Sequence, residues 1–190
     1  GDTIHVLEGQ YTESVELSEV SVALLSDYCF TGDSQSISRT IIDGDSAGSC
    51  ISIVGGNDAD VTISGFTIRN GASSAGGGIR IVSTSVKILS CDIQANVADS
   101  GAGVFLADSA SVLIEDCAVR NNIGVGISGK DFVSFTMINS LVLSNFGTGI
   151  DLAKFQVLWW PSAVSIEGCV VAKNNGHGIS WRFVDDVSVV

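Results

Sequence analysis

Three polar residues in the last third of the chain, Asp151, His177 and Arg182, are of types that do acid–base chemistry. A carboxylate, an imidazole and a guanidinium can accept a proton, donate one or stabilise a developing charge. A glycoside hydrolase needs two carboxyl groups across the scissile bond, and a lyase needs a basic residue, often beside a calcium ion. The three residues would suit a polysaccharide-active enzyme, provided that the fold brings them together.

A second set of residues could recognise a sugar or a protein without chemistry. Trp159 and Trp160 lie in the segment 153–163, which is too apolar for an ordinary loop. Exposed Trp rings stack on sugars, and paired Trp side chains also anchor protein interfaces or pack against their own domain. Arg80 and Phe105 join this candidate contact surface because strand alternation turns both side chains outward.

Four aspartates are candidate ligands for a metal ion. Asp43, Asp45, Asp58 and Asp60 lie in two loop regions, and calcium prefers carboxylate oxygens. The segment 55–60 partly resembles a calcium-binding nonapeptide, but it lacks the third glycine and does not repeat in tandem. Solvated turn acids are the alternative interpretation, so no cofactor is expected and calcium is the one candidate.

Composition narrows the range of partners. The 190 residues carry a formal net charge of −12, which repels phosphate backbones, so no nucleic-acid partner is expected. No apolar run approaches the roughly 20 residues that span a bilayer, and no membrane insertion is expected. The five cysteines lack CxxC spacing, and most are expected to be core thiols. A disulfide between Cys29 and Cys50 stays open.

A repeated tetrad organises the chain. Gly-x-Gly followed by Ile or Val occurs five times between Gly76 and Ile179, at spacings of 25, 23, 23 and 29 residues. Two alternating apolar pairs precede each tetrad and a third apolar strand follows it, which is typical of short, half-buried strands. The pattern predicts an all-β solenoid of about seven coils with three short strands each, forming one domain over residues 1–190 with incomplete coils at both ends.

Two further residue types recur in phase with the tetrad. An Asn follows the second strand of four successive coils, where a left-handed turn residue or a side-chain ladder would help. Cys91 and Cys117 hold equivalent inward positions in successive coils and should stack in the core. The recurring asparagines are Asn96, Asn122, Asn145 and Asn174.

Three segments carry a resemblance to known proteins. They are GDTIHVLEGQYTESVEL at 1–17, TIIDG at 40–44 and VTISGFTIRNG at 61–71, which resemble secreted proteins of the pectate-lyase-like β-helix superfamily. The resemblance implies a single-stranded, right-handed parallel β-helix and an extracellular or cell-surface location. It also implies that any catalysis sits on the outer face of the sheet formed by the Gly-x-Gly strands.

One motif on those strands resembles a catalytic signature. Gly176-His177-Gly178 is similar to the Gly-His-Gly of polygalacturonases. That family places its acids on the same sheet in the preceding coils, where this chain has Thr148 and Val125. Its Arg-x-Lys motif is also missing, and Asp151 is the only acid among the later tetrads. The catalytic motif of that family is therefore incomplete here.

Both ends of the chain carry strands that fit an unfinished coil. Val187 and Val189 belong to the last strand, and Thr3, Ile4 and Val6 resemble the strand that should come next in the same coil. The end of one copy could be completed by the start of another, which would give a head-to-tail filament. Excision from a longer β-helix with flanking coils is the alternative.

These observations favour an extracellular structural or adhesive β-helix, either a fibre subunit or a module of a larger surface protein. The opposing hypothesis is a polysaccharide lyase or hydrolase that uses Asp151, His177 and Arg182. A third hypothesis is a carbohydrate-binding module that uses Trp159 and Trp160 without catalysis.

Overall fold

The fold is a parallel β-helix built from three long sheets. The computed structural model describes residues 1–56, 59–153, 162–182, 184 and 186–190. All pairings between the described strands are parallel, and each strand pairs with its equivalents in the neighbouring coils. The prediction of an all-β solenoid with three short strands per coil is confirmed.

The three sheets follow one another along each coil and are numbered in that order. Sheet 1 contains β1 (Asp2–Val6), β4 (Val22–Ser26), β7 (Asp60–Ser64), β11 (Ser85–Leu89), β15 (Ser111–Glu115), β18 (Ser134–Ile138), β21 (Ala163–Glu167) and β24 (Asp186–Val189). Sheet 2 contains β2 (Gly9–Thr12), β5 (Thr40–Asp43), β8 (Thr67–Arg69), β12 (Asp92–Gln94), β16 (Ala118–Arg120), β19 (Leu141–Leu143) and β22 (Val170–Ala172).

The Gly-x-Gly tetrads lead into the strands of sheet 3. This sheet contains β3 (Val15–Ser18), β6 (Ile51–Val54), β10 (Ile79–Val82), β14 (Val104–Ala107), β17 (Ile127–Lys130), β20 (Ile150–Ala153) and β23 (Ile179–Arg182). A separate pair, β9 (Ala72–Ala75) and β13 (Val97–Ser100), lies between sheets 2 and 3 along the chain, and two short helices, α1 (Tyr28–Thr31) and α2 (Gln35–Arg39), connect β4 to β5. Neither helix of the described chain has the length and apolar character needed to cross a membrane.

The core lies inside the coil, where apolar side chains stack in register. In sheet 1, Val86 pairs with Val61 on one side and with Val112 on the other, and all three are buried. The regular pattern covers about 5 turns, slightly fewer than the seven coils expected. The strands at the ends, such as β1, leave most of their side chains exposed.

In the regular coils, left-handed residues form the corners after the strands of sheets 1 and 2, and they also follow several strands of sheet 3, as at Ser83 (56°) and Asp108 (53°). The residue after a sheet 1 strand and the residue after a sheet 2 strand both have positive φ, as at Ser90 (50°) and Ala95 (54°). In the next coil Asp116 (53°) and Asn121 (55°) repeat the arrangement. This conformation costs an L-residue about 1–2 kcal/mol, so contacts inside each corner must hold it in place.

The recurring asparagines form a buried ladder inside the second corner. The Asn122 Oδ1 accepts hydrogen bonds from the backbone N of Asn96 at 3.0 Å and from its Nδ2 at 3.1 Å. The Asn122 Nδ2 donates to the Ile93 carbonyl at 3.1 Å and to the Asn145 Oδ1 at 3.0 Å. Asn174 continues the ladder beyond Asn145. The sequence leaves two roles possible for the recurring asparagines, a left-handed turn or a side-chain ladder. The asparagines form the ladder, and the residue before each of them adopts the left-handed conformation.

The second glycine of the first four tetrads packs against this ladder. A Cβ on Gly126 would lie 2.7 Å from the Gly149 carbonyl oxygen and 2.8 Å from the Asn145 Nδ2. The same two neighbours, a glycine carbonyl of the next coil and the amide of the ladder Asn, crowd Gly78, Gly103 and Gly149. The tetrad and the recurring Asn are therefore parts of one close-packed corner.

The cysteines agree with the expectation of core thiols. All five, each within the described chain, are free, and Cys91 and Cys117 stack in neighbouring coils. The open question of a disulfide between Cys29 and Cys50 is answered by their separate surroundings. The Cys29 thiol donates to Ser64 Oγ, while the Cys50 thiol donates to a backbone carbonyl and its burial raises its pKa to about 11.

The segment 27–39 replaces a short corner between sheets 1 and 2. In the next coil this corner consists only of Gly65 and Phe66. A hydrogen bond between His5 Nε2 and Asp27 Oδ1 (2.7 Å) and an ion pair between Arg39 Nη2 and Glu8 Oε1 (2.8 Å) hold the longer segment against the first coil. The insertion thus covers the outside of the first coils without interrupting the core.

The end strands do not have the relationship expected from the sequence. β1 and β24 are the two edge strands of sheet 1, so Thr3, Ile4 and Val6 lie in the same sheet as Val187 and Val189. A strand that follows β24 within its coil would belong to sheet 2, because the sheets alternate in a fixed order. The expectation that β1 resembles the strand that would follow β24 in the same coil is therefore wrong.

Replacing Asn122 by Ala should break the ladder at its centre. The substitution leaves the buried backbone N and Nδ2 of Asn96 without their acceptor, and we expect a loss of about 3–5 kcal/mol in the free energy of unfolding. Urea unfolding followed by circular dichroism measures the loss. Asn175→Ala, one residue beyond the ladder on the exposed side, is the control and should change stability by less than about 0.5 kcal/mol.

Adding a methyl group at Gly126 should also destabilise the fold. Gly126→Ala forces a Cβ against the Gly149 carbonyl and the Asn145 amide, so we expect a loss of about 3 kcal/mol. Gly56→Ala is the matched control, since no heavy atom lies within 4 Å of its Cβ position. Equal thermal midpoints for the two variants would contradict the close packing of the tetrad.

Candidate functional site

The outer face of sheet 3 is the surface on which the resemblance places catalysis. Its central outward positions stack in one row, because the strands pair without a shift of register. The row consists of one residue from each strand: Glu16, Ser52, Arg80, Phe105, Ser128, Asp151 and Ser180. Within the row, the two acids lie at opposite parts of the sheet and cannot act on one bond.

The middle of this row is covered. Phe105 is only 8% exposed and Ser128 only 3% exposed. The Lys130 Nζ lies 5.7 Å from the centroid of the Phe105 ring and 3.4 Å from the Ser100 Oγ of β13. The sequence predicts that Phe105 belongs to an exposed contact surface. It is not available for such contact, because a lysine side chain lies over its ring. Arg80 remains half-buried at the neighbouring position.

Asp151 and Arg182 meet at the C-terminal part of the sheet. Their side chains come from neighbouring strands, β20 and β23, and the Arg182 Nη2 lies 3.4 Å from the Asp151 Oδ2. Both side chains are accessible to solvent, with 55% of Arg182 and 26% of Asp151 exposed. Such an exposed pair contributes little stability.

His177 lies in the regular backbone of the coil. Its carbonyl accepts a hydrogen bond from the Gly149 N at 2.8 Å, as an ordinary member of the tetrad series would. His177 lines a surface pocket of about 280 Å³ together with Ile179, Ser180 and Trp181. The residues that line this pocket include no carboxylate, so the structure does not assemble His177 with Asp151 as an acid–base pair there.

Two predicted sites lie wholly or partly outside the described residues. Trp159 and Trp160 fall in the undescribed segment 154–161, and Asp58 falls at the other undescribed loop. Their roles in sugar contact and metal binding stay predictions.

The remaining candidate metal ligands have other partners. The Asp43 carboxylate accepts hydrogen bonds from Arg69 Nε at 3.0 Å and from Asn70 Nδ2 at 3.0 Å. Asp60 pairs with Lys87 at 3.2 Å, and Asp45 is exposed. Within the described residues no three His, Cys, Asp or Glu side chains cluster as metal ligands would.

The surroundings of Asp43 change its titration. Burial alone would raise the pKa of this carboxyl, but the hydrogen bonds from Asn70 and Arg69 outweigh it and lower the pKa below the ordinary Asp value. Because the folded-state pKa is the lower one, the stabilisation is present above the unfolded pKa and is lost as the pH falls through the folded pKa.

Sequence reasoning missed the outer face of sheet 2, which carries a charged network. Arg69 binds Asp43 of the coil before it, and further along Arg120 binds Asp92 of the coil before it through two hydrogen bonds of 2.9 and 2.7 Å. The signal was present, because Asp43 and Arg69 hold the same strand position in successive coils. Opposite charges at one repeat position predict such a network.

The ends of the described solenoid leave core side chains exposed, as the unfinished coils in the sequence suggest. Trp181 pairs with Leu152 in the inward column of sheet 3, where Leu152 and Leu106 are fully buried. Trp181 is nevertheless 48% exposed, since no described coil lies beyond it. Ile4 (48%) and Val189 (51%) show the same exposure in the edge strands of sheet 1.

Removing the Asp43 carboxylate should change how stability depends on pH. We expect Asp43→Asn to be less stable than the parent above about pH 4, and to lose less stability as the pH falls further, because the low-pKa carboxylate is gone. Urea midpoints measured from pH 2.5 to pH 7 test this. The control is Asp45→Asn, because Asp45 is an exposed neighbour and Asn tolerates its positive φ. If the urea midpoints of both variants depended on pH in the same way, the low pKa assigned to Asp43 would be contradicted.

Comparison with known proteins identifies the coil as right-handed. Neither a curated protein nor a solved structure matches the chain. A family model described as a right-handed β-helix region matches residues 27–156, about two thirds of the chain. The match begins just before α1 and runs past β20, so it covers the regular part of the solenoid, and the chain belongs to the right-handed β-helix family.

Proposed function

We propose that this chain is a structural and adhesive β-helix module of an extracellular or cell-surface protein, and that its terminal coils are covered by further β-helix coils. The observation that carries the proposal is Trp181, a large side chain that points into the core column and is half exposed. Water contact at an inward Trp is costly, and another coil stacked on β23 would remove it.

The geometry of the ends favours flanking coils over direct contact between two copies. β1 and β24 are edge strands of the same sheet. If β1 of a second copy paired with β24, sheets 2 and 3 would each lack one strand at the junction. Coils that continue all three sheets must instead place a sheet 2 strand directly after β24. Such coils can belong to the same polypeptide or to a partner, and the resemblance of segments 1–17, 40–44 and 61–71 to secreted β-helix proteins supports a secreted setting.

The outer surface supports a structural role more than a catalytic one. Its one carboxylate near His177, that of Asp151, is engaged by Arg182 among the described residues. The cross-coil Asn ladder and the charged network of sheet 2 instead join successive coils along the axis.

Carbohydrate binding is a second candidate, because Trp181 and His177 border the same pocket. An indole beside an imidazole suits a sugar ring. Quenching of Trp fluorescence by an oligosaccharide, absent in Trp181→Ala, would favour binding at this pocket over coverage by a coil.

The open ends should make the isolated chain self-associate weakly. Sedimentation velocity over a concentration series measures this, and Trp181→Asp should weaken association about tenfold or more, since burial of a large apolar side chain contributes about 1.5–3 kcal/mol. Ile4→Asp tests the other end. Ser180→Asp, which adds the same charge on the outward side of β23, is the control and should leave association unchanged. Association that persists unchanged in both Trp181→Asp and Ile4→Asp would show that the open ends do not carry it and would contradict the proposal.

A further inference from the structure

We propose that Cys91 and Cys117 form an oxidation site, at which a disulfide closes between two successive coils. The two residues hold the same position in their coils, because the residues directly after them, Asp92 and Ala118, pair in register. Nothing in the stacking of the apolar core requires sulfur at this position, which is filled by Phe66 one coil earlier.

The distance between the two residues suits a disulfide. The backbone N of Cys91 donates a hydrogen bond to the Cys117 Sγ at 3.3 Å. Neighbouring parallel strands lie about 4.8 Å apart, within the roughly 4.4–6.8 Å that Cα atoms span across a disulfide. The thiols are held on the inner side of the coil, where Cys91 donates to the Leu89 carbonyl and Cys117 to the Glu115 carbonyl.

The other cysteines are excluded from this pair by position. Ser140 follows Cys117 in the column, and its Oγ accepts a hydrogen bond from the Cys117 N at 3.0 Å. Cys169 comes after Ser140, so it is two coils away from Cys117. Cys29 and Cys50 lie outside the column. Only one pair of thiols in the chain therefore occupies neighbouring coils at equivalent positions.

A small oxidant can reach the site from outside. A surface pocket of about 240 Å³ at the corner between sheets 1 and 2 is lined by both cysteines, with Ile37 and Leu141 among its other lining residues. Hydrogen peroxide fits such a space. One thiol and peroxide give a sulfenic acid and one water; the second thiol then attacks that sulfur, forms the S–S bond and releases a second water. Two thiols and one peroxide thus give one disulfide and two waters.

The site combines slow reaction with a lasting product. Both thiols are almost wholly buried, and burial raises the pKa of the Cys117 thiol, so oxidation is slower than at the exposed Cys29. Once formed, the bond joins residues 26 apart in sequence and restricts the unfolded chain. Oxidising surroundings would therefore fasten two coils of the solenoid together.

Mass spectrometry tests the proposal on the folded chain. The chain is treated with hydrogen peroxide, the remaining thiols are alkylated in urea, and the product is digested with a protease that cleaves at Asp. Trypsin is unsuitable because no Lys or Arg lies between residues 88 and 119, whereas Asp99 and Asp108 separate the two cysteines. We expect joined peptides that contain Cys91 and Cys117, lighter by two hydrogen atoms, with Cys169 in neither.

The stability of the oxidised chain supplies a second measurement. The urea midpoint should rise on oxidation and return on reduction, and Cys117→Ser should show neither the joined peptides nor the rise. That variant copies the hydroxyl that Ser140 already places in the column, so it should fold, and circular dichroism checks this. Cys169→Ser is the matched control that keeps both effects. Prolonged peroxide treatment that leaves Cys91 and Cys117 as free thiols in the folded chain, or that joins other pairs, would overturn the proposal.

Discussion

The corner at which the buried asparagines bond from coil to coil is the constraint on which the rest of the structure depends. Each ladder amide accepts from the backbone and side chain of the coil before it and donates onward, so one interior polar group satisfies several others. A buried amide in this position is favourable only when every bond is made. The ladder therefore fixes the register of the coils as well as holding them together.

The glycine tetrad follows from the same corner. Because the ladder amide and a glycine carbonyl of the next coil leave no room for a Cβ, the first four tetrads must have glycine at their second position. Once the inner side of the coil is fixed in this way, the outer positions are free to vary. The outward row of sheet 3 shows this freedom, since it changes from Glu16 through Phe105 to Asp151 without altering the stack.

That freedom explains why the apparent catalytic motif does not mark an active site by itself. His177 stands at the variable position of a tetrad whose glycines serve the corner, and its nearest acid on the sheet is paired with Arg182. The features that set this chain apart from a plain solenoid are instead its half-exposed core side chains at the ends and the stacked thiols inside. Both concern how coils are joined, which is consistent with a structural role.

The sequence by itself determined the repeat, the three strands of each coil, the inward residues and the outward row of sheet 3. These follow from side-chain alternation and from a period of 23 to 29 residues, which are local properties of the chain. Only the tertiary structure decided that Phe105 is covered and that β1 and β24 share one sheet. Each of these depends on how far one coil advances over the next and on which long side chain lies across a neighbour. Contacts of that kind join residues far apart in sequence, and no single repeat records them.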